Sequence, residues 1–410
     1  MASHGIDPAA GNDEPSPVLA LGQTRRAMIA LSCFTATIAG ALLYDVLPPI
    51  MADLAKHFGG GTAGSFFAQL AGTLPLFGVM AGAMFSGALI EIFGLRRILL
   101  VSMLIFAVAG SAGVFLDAPY PFLAARLLMG AAAGTMTTAC NSLIALYYRG
   151  APRARMNGLI IGAGSIAGIT FVLVAGFTAT WWWRAPFLLH AAVALAFLPA
   201  VLLAGRVPAS PKHDENMIGN LRRLRPMLPV CAVGFAWFVI MLMSGVQTPF
   251  VIGIAGFGDH TTIAILYAIN AASVSISSVL AGRIAPRFPS NTILRLSFLV
   301  LALAMCVLGS GTTLIQFAIG LVLSGASVGF GLTAIWTWAM RVAPRDIVPR
   351  SLGAMTTCLY LGGALSPFLS APFEAALGIR GQFFGVAAAT MAAVAINWTV
   401  VREPAALAKT

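Results

Sequence analysis

Charge is what this 410-residue chain has least of. Asp, Glu, Lys and Arg make up only 9% of it, whereas 59% is hydrophobic. A soluble domain keeps roughly a quarter of its residues charged to cover its surface, so a water-soluble fold is excluded. Cysteine is sparse and scattered: Cys33, Cys140, Cys231, Cys306 and Cys358 stand singly in apolar stretches, with no C-x-x-C pair. That argues against a disulfide framework or a thiolate zinc site. The five histidines are equally dispersed, and only His190 falls inside an apolar stretch, so no metal centre can be assembled from sequence neighbours. A cleavable leader is also not expected. Residues 1–20 have neither a basic start nor an apolar core, and read as a disordered tail.

Two motifs invite enzymatic readings, and neither survives its context. "GAGSIA" (162–167) fits a dinucleotide fingerprint, but no strand precedes it and no acid follows at the ribose-binding distance. It lies in an apolar helix, where Gly158/Gly162 and Gly164/Gly168 read as small-x-x-x-small pairs for close helix packing in lipid. "NWT" (397–399) is a nominal glycosylation sequon placed inside the last apolar segment, out of reach. No cofactor, metal or catalytic activity is expected.

What the chain does have is long apolar segments. A bilayer crossing takes about 20 residues, and twelve segments qualify: 27–50, 65–90, 98–116, 120–146, 156–178, 184–205, 227–252, 261–282, 293–310, 313–340, 352–374 and 379–401. The mean hydropathy of +0.92 agrees. Cationic residues alternate with these segments. One set of connections, with both tails, holds 20 of the 24 Lys and Arg; the other holds only Lys56, Arg184 and Arg380, and Arg126 lies within a segment. Because Lys and Arg accumulate in short cytoplasmic loops, both termini are expected in the cytoplasm of a multi-pass protein. The net charge of +11 thereby becomes a topology signal, more economically matched to anionic lipid than to nucleic acid. The longest polar interruption falls mid-chain. It divides the sequence into a tail (1–26), a six-helix unit (27–205), a cytoplasmic linker (206–226), a second six-helix unit (227–401) and a tail (402–410).

The two halves echo each other. "GALIEIFGLRR" (87–97) closes the second segment, and "SVLAGRIAPRF" (278–288) closes the eighth at the equivalent place; such half-to-half repeats are expected of secondary transporters. At these residues the chain resembles the major facilitator superfamily, over nearly its whole length. Gly87, Leu89, Gly94, Arg96 and Arg97 match the family's loop signature, with Glu91 where the family usually has Asp. Ile92 and Leu95 replace basic positions, and in the second copy Gly282 replaces the acid. The resemblance implies an all-α membrane protein of twelve transmembrane helices in two pseudo-symmetric six-helix bundles. It also implies a latch in which Glu91 and the arginines hold the bundles together near the N-terminus of the eleventh helix. "LAARLLMGAAAG" (123–134) is similar to the family's fourth-helix pattern.

Along that fourth segment Arg126, Gly130, Ala133, Thr137 and Cys140 recur at helical spacing beside Asn141, making one face small and polar. An intramembrane Arg usually faces the bundle interior and needs an anion, water or carbonyls. Asp45, in "LLYDVLPPI" (42–50), matches its depth: it stands about five residues from the outer end of the first segment, and Arg126 about six from the start of the fourth. Lateral proximity is implied by the resemblance alone, and separate snorkelling to external water is the other reading. Of the remaining acids, Glu91 belongs to the loop signature and Glu374 is the reserve; the others fall in tails or loops.

Asp45 and Arg126 are thus the candidates for proton coupling. Tyr44, Asn141, Trp237, Gln247, Tyr267, Asn270, Trp336, Trp338 and Tyr360 are nominated as substrate contacts, since aromatics with a few polar groups suit amphipathic ligands. "LPPIMADL", Arg126 and the W-R-x-x-F run at Trp183, Arg184 and Phe187 resemble the drug:proton antiporter branch. That branch carries a Gly-Pro signature in its fifth helix, where this chain has Thr170 and Phe171. The expectation is a proton-coupled exporter of small amphipathic compounds, monomeric, in a bacterial inner membrane. A metabolite importer or facilitator, and a transporter-like receptor, are the alternatives.

Overall fold

The computed structural model describes residues 17–203, 221–284, 287–344 and 348–400. Most of both expected tails and of the 206–226 linker lies outside them. All regular structure among the described residues is helical. The helices are α1 (Gln23–Asp45), α2 (Met51–His57), α3 (Gly61–Phe93), α4 (Leu95–Ser111), α5 (Pro119–Tyr147), α6 (Gly150–Ala179), α7 (Leu188–Leu203), α8 (Leu228–Ile254), α9 (His260–Ile284), α10 (Ser290–Ser310), α11 (Leu314–Val342) and α12 (Val348–Val400). Eleven spans among the described residues are long and apolar enough to cross a membrane. The predicted segments number twelve because α12 contains the last two. Its backbone leaves helical geometry at Gly378 (φ 73°, ψ 172°), a left-handed conformation that glycine adopts without penalty.

Local chemistry sets several boundaries. Prolines 48 and 49 lack amide donors, so α1 stops at Asp45 and a short 3-10 turn (Pro48–Ile50) leads into α2. The first apolar segment was expected to be helical to residue 50. Instead Asp45 is the last residue of its helix. Pro119 opens α5 at a position where its missing donor costs nothing. A capping box opens α11: Thr313 Oγ1 accepts from the Gln316 amide at 3.3 Å, and Gln316 Oε1 accepts from the Thr313 amide at 3.2 Å. Gly94, at φ 84°, separates α3 from α4.

In lipid, hydrophobicity does not drive helices together, so close approach of backbones carries the packing. The tightest seams use glycine. On α3, a Cβ on Gly78 or Gly82 would lie 2.1 or 2.0 Å from the carbonyl oxygens of Leu127 or Ala131 on α5. Gly130 and Gly134 answer from α5, at 2.0 and 2.2 Å from the oxygens of Pro75 and Val79. The second half repeats the device: Gly325 and Gly329 of α11 press on Asn270 and Ser277 of α9. Of the pairs expected on α6, Gly158 and Gly162 face open space, whereas Gly164 and Gly168 meet Thr37 and Asp45 of α1.

Helices α1 and α3–α7 pack mainly among themselves, as do α8–α12. Across the halves, α6 lies against α9 and α3 against α12, while the 48–50 turn and α2 reach α8 and α9.

Candidate transport site

Between the halves lies a cavity of about 170 Å³. Its first-half wall is the end of α1 with the proline turn, contributing Tyr44, Asp45, Leu47, Pro48 and Met51, and Gly72 of α3. Its second-half wall comes from Met241, Leu242, Ser244, Gly245 and Val246 of α8, from Tyr267, Asn270 and Val274 of α9, and from Leu321, Ser324 and Val328 of α11. Among the described residues, Asp45 is the one charged residue on this wall. The helix break explains its position. Because α1 stops there, the carboxylate stands where the chain turns across the cavity.

Asp45 and Arg126 do not pair. Among the described residues no hydrogen bond or ion pair reaches the Asp45 carboxylate, which lies against α6: a Cβ on Gly168 would be 2.9 Å from its Oδ2. Arg126 is buried, at 1% exposure. Its Nε donates to the Ala71 carbonyl at 2.9 Å and its Nη2 to that of Leu43 at 3.4 Å, with Met129 Sδ 3.5 Å from Nη1. The need for a partner is thus answered by carbonyls. The Leu43 contact still brings the guanidinium to the final turn of α1, two residues from the acid.

Of the nominated substrate contacts, Tyr44, Tyr267 and Asn270 line the cavity. Tyr267 donates its hydroxyl to the Gly245 carbonyl, and Asn270 donates to the Leu321 carbonyl at 2.8 Å, so both side chains are held from within the second half. Tyr360 packs its ring on Phe238 and is within electrostatic reach of Tyr44. Trp237 is fully buried inside the second half, donating to Ser297 at 3.1 Å. Trp336 packs on the hydrophobic core and Trp338 is buried in it, whereas Asn141 is exposed. Gln247 is a strut between helices: its Nε2 donates to Gln69 Oε1 of α3 at 3.1 Å and to Ser370 Oγ of α12 at 2.9 Å. Glu374 lies beside Gln69.

Met51, Met241, Ser244 and Ser324 were not singled out from sequence, and Gly168, which faces Asp45, was read there only as a helix-packing residue. A signal existed. Tyr267, Asn270 and Val274, like Leu321, Ser324 and Val328, fall at i, i+3 and i+7, so each trio shares one helical face.

At the arginine-poor end of the molecule, contacts join the two halves. His260 Nε2 and Asp53 Oδ2 stand 2.7 Å apart, joining α9 to α2 across the halves. Beside them a Cβ on Gly176 of α6 would sit 2.2 Å from Ala264 and 2.8 Å from the His260 carbonyl. Within the first half, Arg184 donates to Asp117 at 2.5 Å and to the Val114 carbonyl at 3.0 Å. That hydrogen bond and the guanidinium's charge hold the Asp117 carboxyl below its ordinary value. At the opposite end, Arg96 caps the C-terminus of α7 through the carbonyls of Val201 and Leu202, at 3.3 and 2.5 Å. These contacts of the loop signature stay within the first half. Glu91, Gly87, Gly94 and Arg97 are exposed, and residues 345–347, before the eleventh segment, lie outside the described residues.

Comparison with known proteins agrees with this geometry. A transporter from Bacillus subtilis (strain 168), YdgK, of MFS type, is 23% identical over 356 residues, covering 81% of this chain and 86% of that protein. A D-xylose-proton symporter has the same fold, with a TM-score of 0.75 at 16% identity over 94% of this chain and 99% of that one. The nucleoside transporter NupG superposes with a TM-score of 0.73 at 12% identity, over 93% and 100%. The family model of the Major Facilitator Superfamily matches residues 31–367. With two helical halves, a cavity at their seam and this match over most of its length, the chain belongs to the major facilitator superfamily of membrane transporters.

Proposed function

We propose that this protein is a proton-coupled secondary transporter that exports small amphipathic organic compounds by alternating access. The observation that carries the reading is Asp45, the charged residue on the wall of the cavity between the halves. An acid there is dehydrated when the cavity closes or fills and rehydrated when it opens, so its proton occupancy follows conformation. Arg126, tethered to the Leu43 carbonyl, supplies a fixed positive field at the same turn. Tyr44, Tyr267, Asn270, Ser244 and Ser324 give the ligand aromatic faces and neutral hydrogen-bonding groups. With the arginine-rich loops in the cytoplasm, both termini are cytoplasmic and the Asp53–His260 contact closes the external side. Glu91, Gly87, Gly94, Arg96 and Arg97 form the opposing latch in the other state. The protein works as a monomer in a bacterial inner membrane.

The direction of export rests on the drug-antiporter resemblance of the proline turn, Arg126 and the Trp183–Arg184 run. Import with a proton is the second reading, favoured by the likeness of fold to a D-xylose-proton symporter. Proteoliposomes holding a pH-sensitive dye separate the two when challenged with a panel of compound classes. Export predicts proton release coupled to uptake of compound in the opposite sense, and import predicts co-entry. Asp45→Asn should lose concentrative transport, by a factor of about 100 if one proton's driving force is forfeited (each factor of ten being about 1.4 kcal/mol), while downhill exchange persists. Full pH-driven transport by that variant would end the proposal.

A further inference from the structure

We propose that Gly168 is a positioning residue for Asp45, setting where its carboxylate sits and thereby how it takes up and releases a proton; the inference rests on the reading of Asp45 given above. The geometry is specific. Gly168 is buried on the face of α6 turned to α1, and a Cβ built on it would stand 2.9 Å from Asp45 Oδ2 and 3.7 Å from Cγ, with nothing else within 4 Å. The carboxylate therefore rests on a patch of bare backbone. No donor among the described residues holds it by a hydrogen bond, so the absence of a side chain at position 168 is what lets it lie against α6 instead of standing out into the cavity.

The same helix contains contrasting glycines. One turn earlier Gly164 faces Thr37, where a Cβ would meet only a methyl carbon at 2.5 Å; two turns later Gly176 meets α9 across the seam. Gly168 thus sits where α6 passes from packing on its own half to packing on the other. An alanine there encounters no backbone. The colliding atom is the end of a rotatable side chain, so the acid moves and the helices stay. The other groups facing this part of α1 are Arg126 of α5, bonded to the Leu43 carbonyl, and Tyr267 of α9, on the same cavity wall; Tyr360 of α12 is within electrostatic reach of Tyr44 and His190 of α7 of Arg126. None of these is touched by a methyl group at position 168.

The test needs no substrate. Infrared difference spectra of the full-length protein in lipid, titrated with acid, report a carboxylic-acid carbonyl band, and the part missing in Asp45→Asn is assigned to Asp45. Gly168→Ala should shift the midpoint of that band by about half a pH unit or more, as a change in solvation and neighbouring charge does. Gly164→Ala, more crowded but facing Thr37, should leave it in place. A band that Gly168→Ala does not move, or that Gly164→Ala moves equally, overturns the positioning role. If no band is lost in Asp45→Asn across the titration, it is the proton-carrier reading of Asp45 that fails. Thermal unfolding of all four proteins checks that each is folded.

Discussion

The first and second halves solve the packing problem alike and the polar problem differently. Both join two long helices through glycines four residues apart, Gly78/Gly82 with Gly130/Gly134 in one and Gly325/Gly329 in the other. Their buried polar groups diverge. The first half carries charge, with Arg126 enclosed among carbonyls and Asp45 at the cavity edge. The second half uses neutral networks: Trp237 to Ser297, the Ser297 and Ser327 hydroxyls crossed with each other's carbonyls at 2.9 Å, and Gln247 bridging to Gln69 and Ser370. Neutral groups hydrogen-bonded to one another fix a structure, whereas a charge on the wall of a cavity responds to water. The pseudo-symmetry is one of scaffold, and the chemistry is concentrated on one side.

The strongest way to break that comparison is to crowd the seams. Gly130→Ala drives a methyl group into the Pro75 carbonyl at 2.0 Å, and Gly329→Ala meets Ser277 Oγ at 2.2 Å and the Val274 carbonyl at 2.7 Å. Backbone cannot rotate aside, so each should cost about 1–3 kcal/mol, read as a lower thermal midpoint and reduced monodisperse yield. Equal losses support a shared scaffold. A tolerant seam in one half would show that the halves differ in architecture as well as in charge.

A smaller effect sharpens the polar side of the comparison. Gln247→Leu removes one hydrogen bond between halves, to Gln69, and one within the second half, to Ser370, and since Gln247 Oε1 is already without a partner, about 1–2 kcal/mol of stability should go. Arg126→Met removes a buried charge held by carbonyls alone. Replacing such a group by an apolar side chain of similar length is often near neutral for stability, so this variant should unfold within about 1 kcal/mol of the parent and yet lose proton-coupled flux. The reverse pattern, a destabilised Arg126→Met that still transports, would assign the arginine to structure.

Much of this was legible in the sequence because membrane solvation is severe. Segment length, the alternation of arginines and the central polar stretch carry the fold, and the "GALIEIFGLRR" repeat carries the family. Asp45 was legible as an anomaly, an acid in an apolar run. Its contact was not. Depth along two helices matched it to Arg126, but depth holds no information about azimuth, and the helix ended at Asp45 where the twin prolines were read as ending it five residues later. Small-residue spacing likewise marked α6 without telling which glycines faced a neighbour. Only packing separates Gly168, which meets the acid, from Gly162, which meets nothing. The aromatic nominations divided for the same reason: Tyr267 and Trp237 are equally conspicuous in sequence, and one lines the cavity while the other lies in the core of its half.

The smallest expected effect concerns the arginine-poor loops, where the first half again uses charge. Asp117 is exposed, and its carboxyl is lowered chiefly by the hydrogen bond from Arg184, then by the guanidinium's charge, with a further pull from His57. A group whose folded value lies below its unfolded one adds stability above the unfolded value, and that stability is lost as pH falls through the folded value. The staple between the 114–118 connection and the start of α7 is therefore intact at neutral pH and weakens below about pH 4, the ordinary carboxylate range. Asp117→Asn should flatten the acid limb of the thermal midpoint against pH while barely changing it at neutrality, because exposed pairs are screened. Asp53→Asn, which removes the charge from a contact joining the two halves, should instead alter how readily a cysteine placed at Ser244 is labelled from the arginine-poor side. If the two variants behave alike in both measurements, the distinction between a staple within one half and a closure between halves fails.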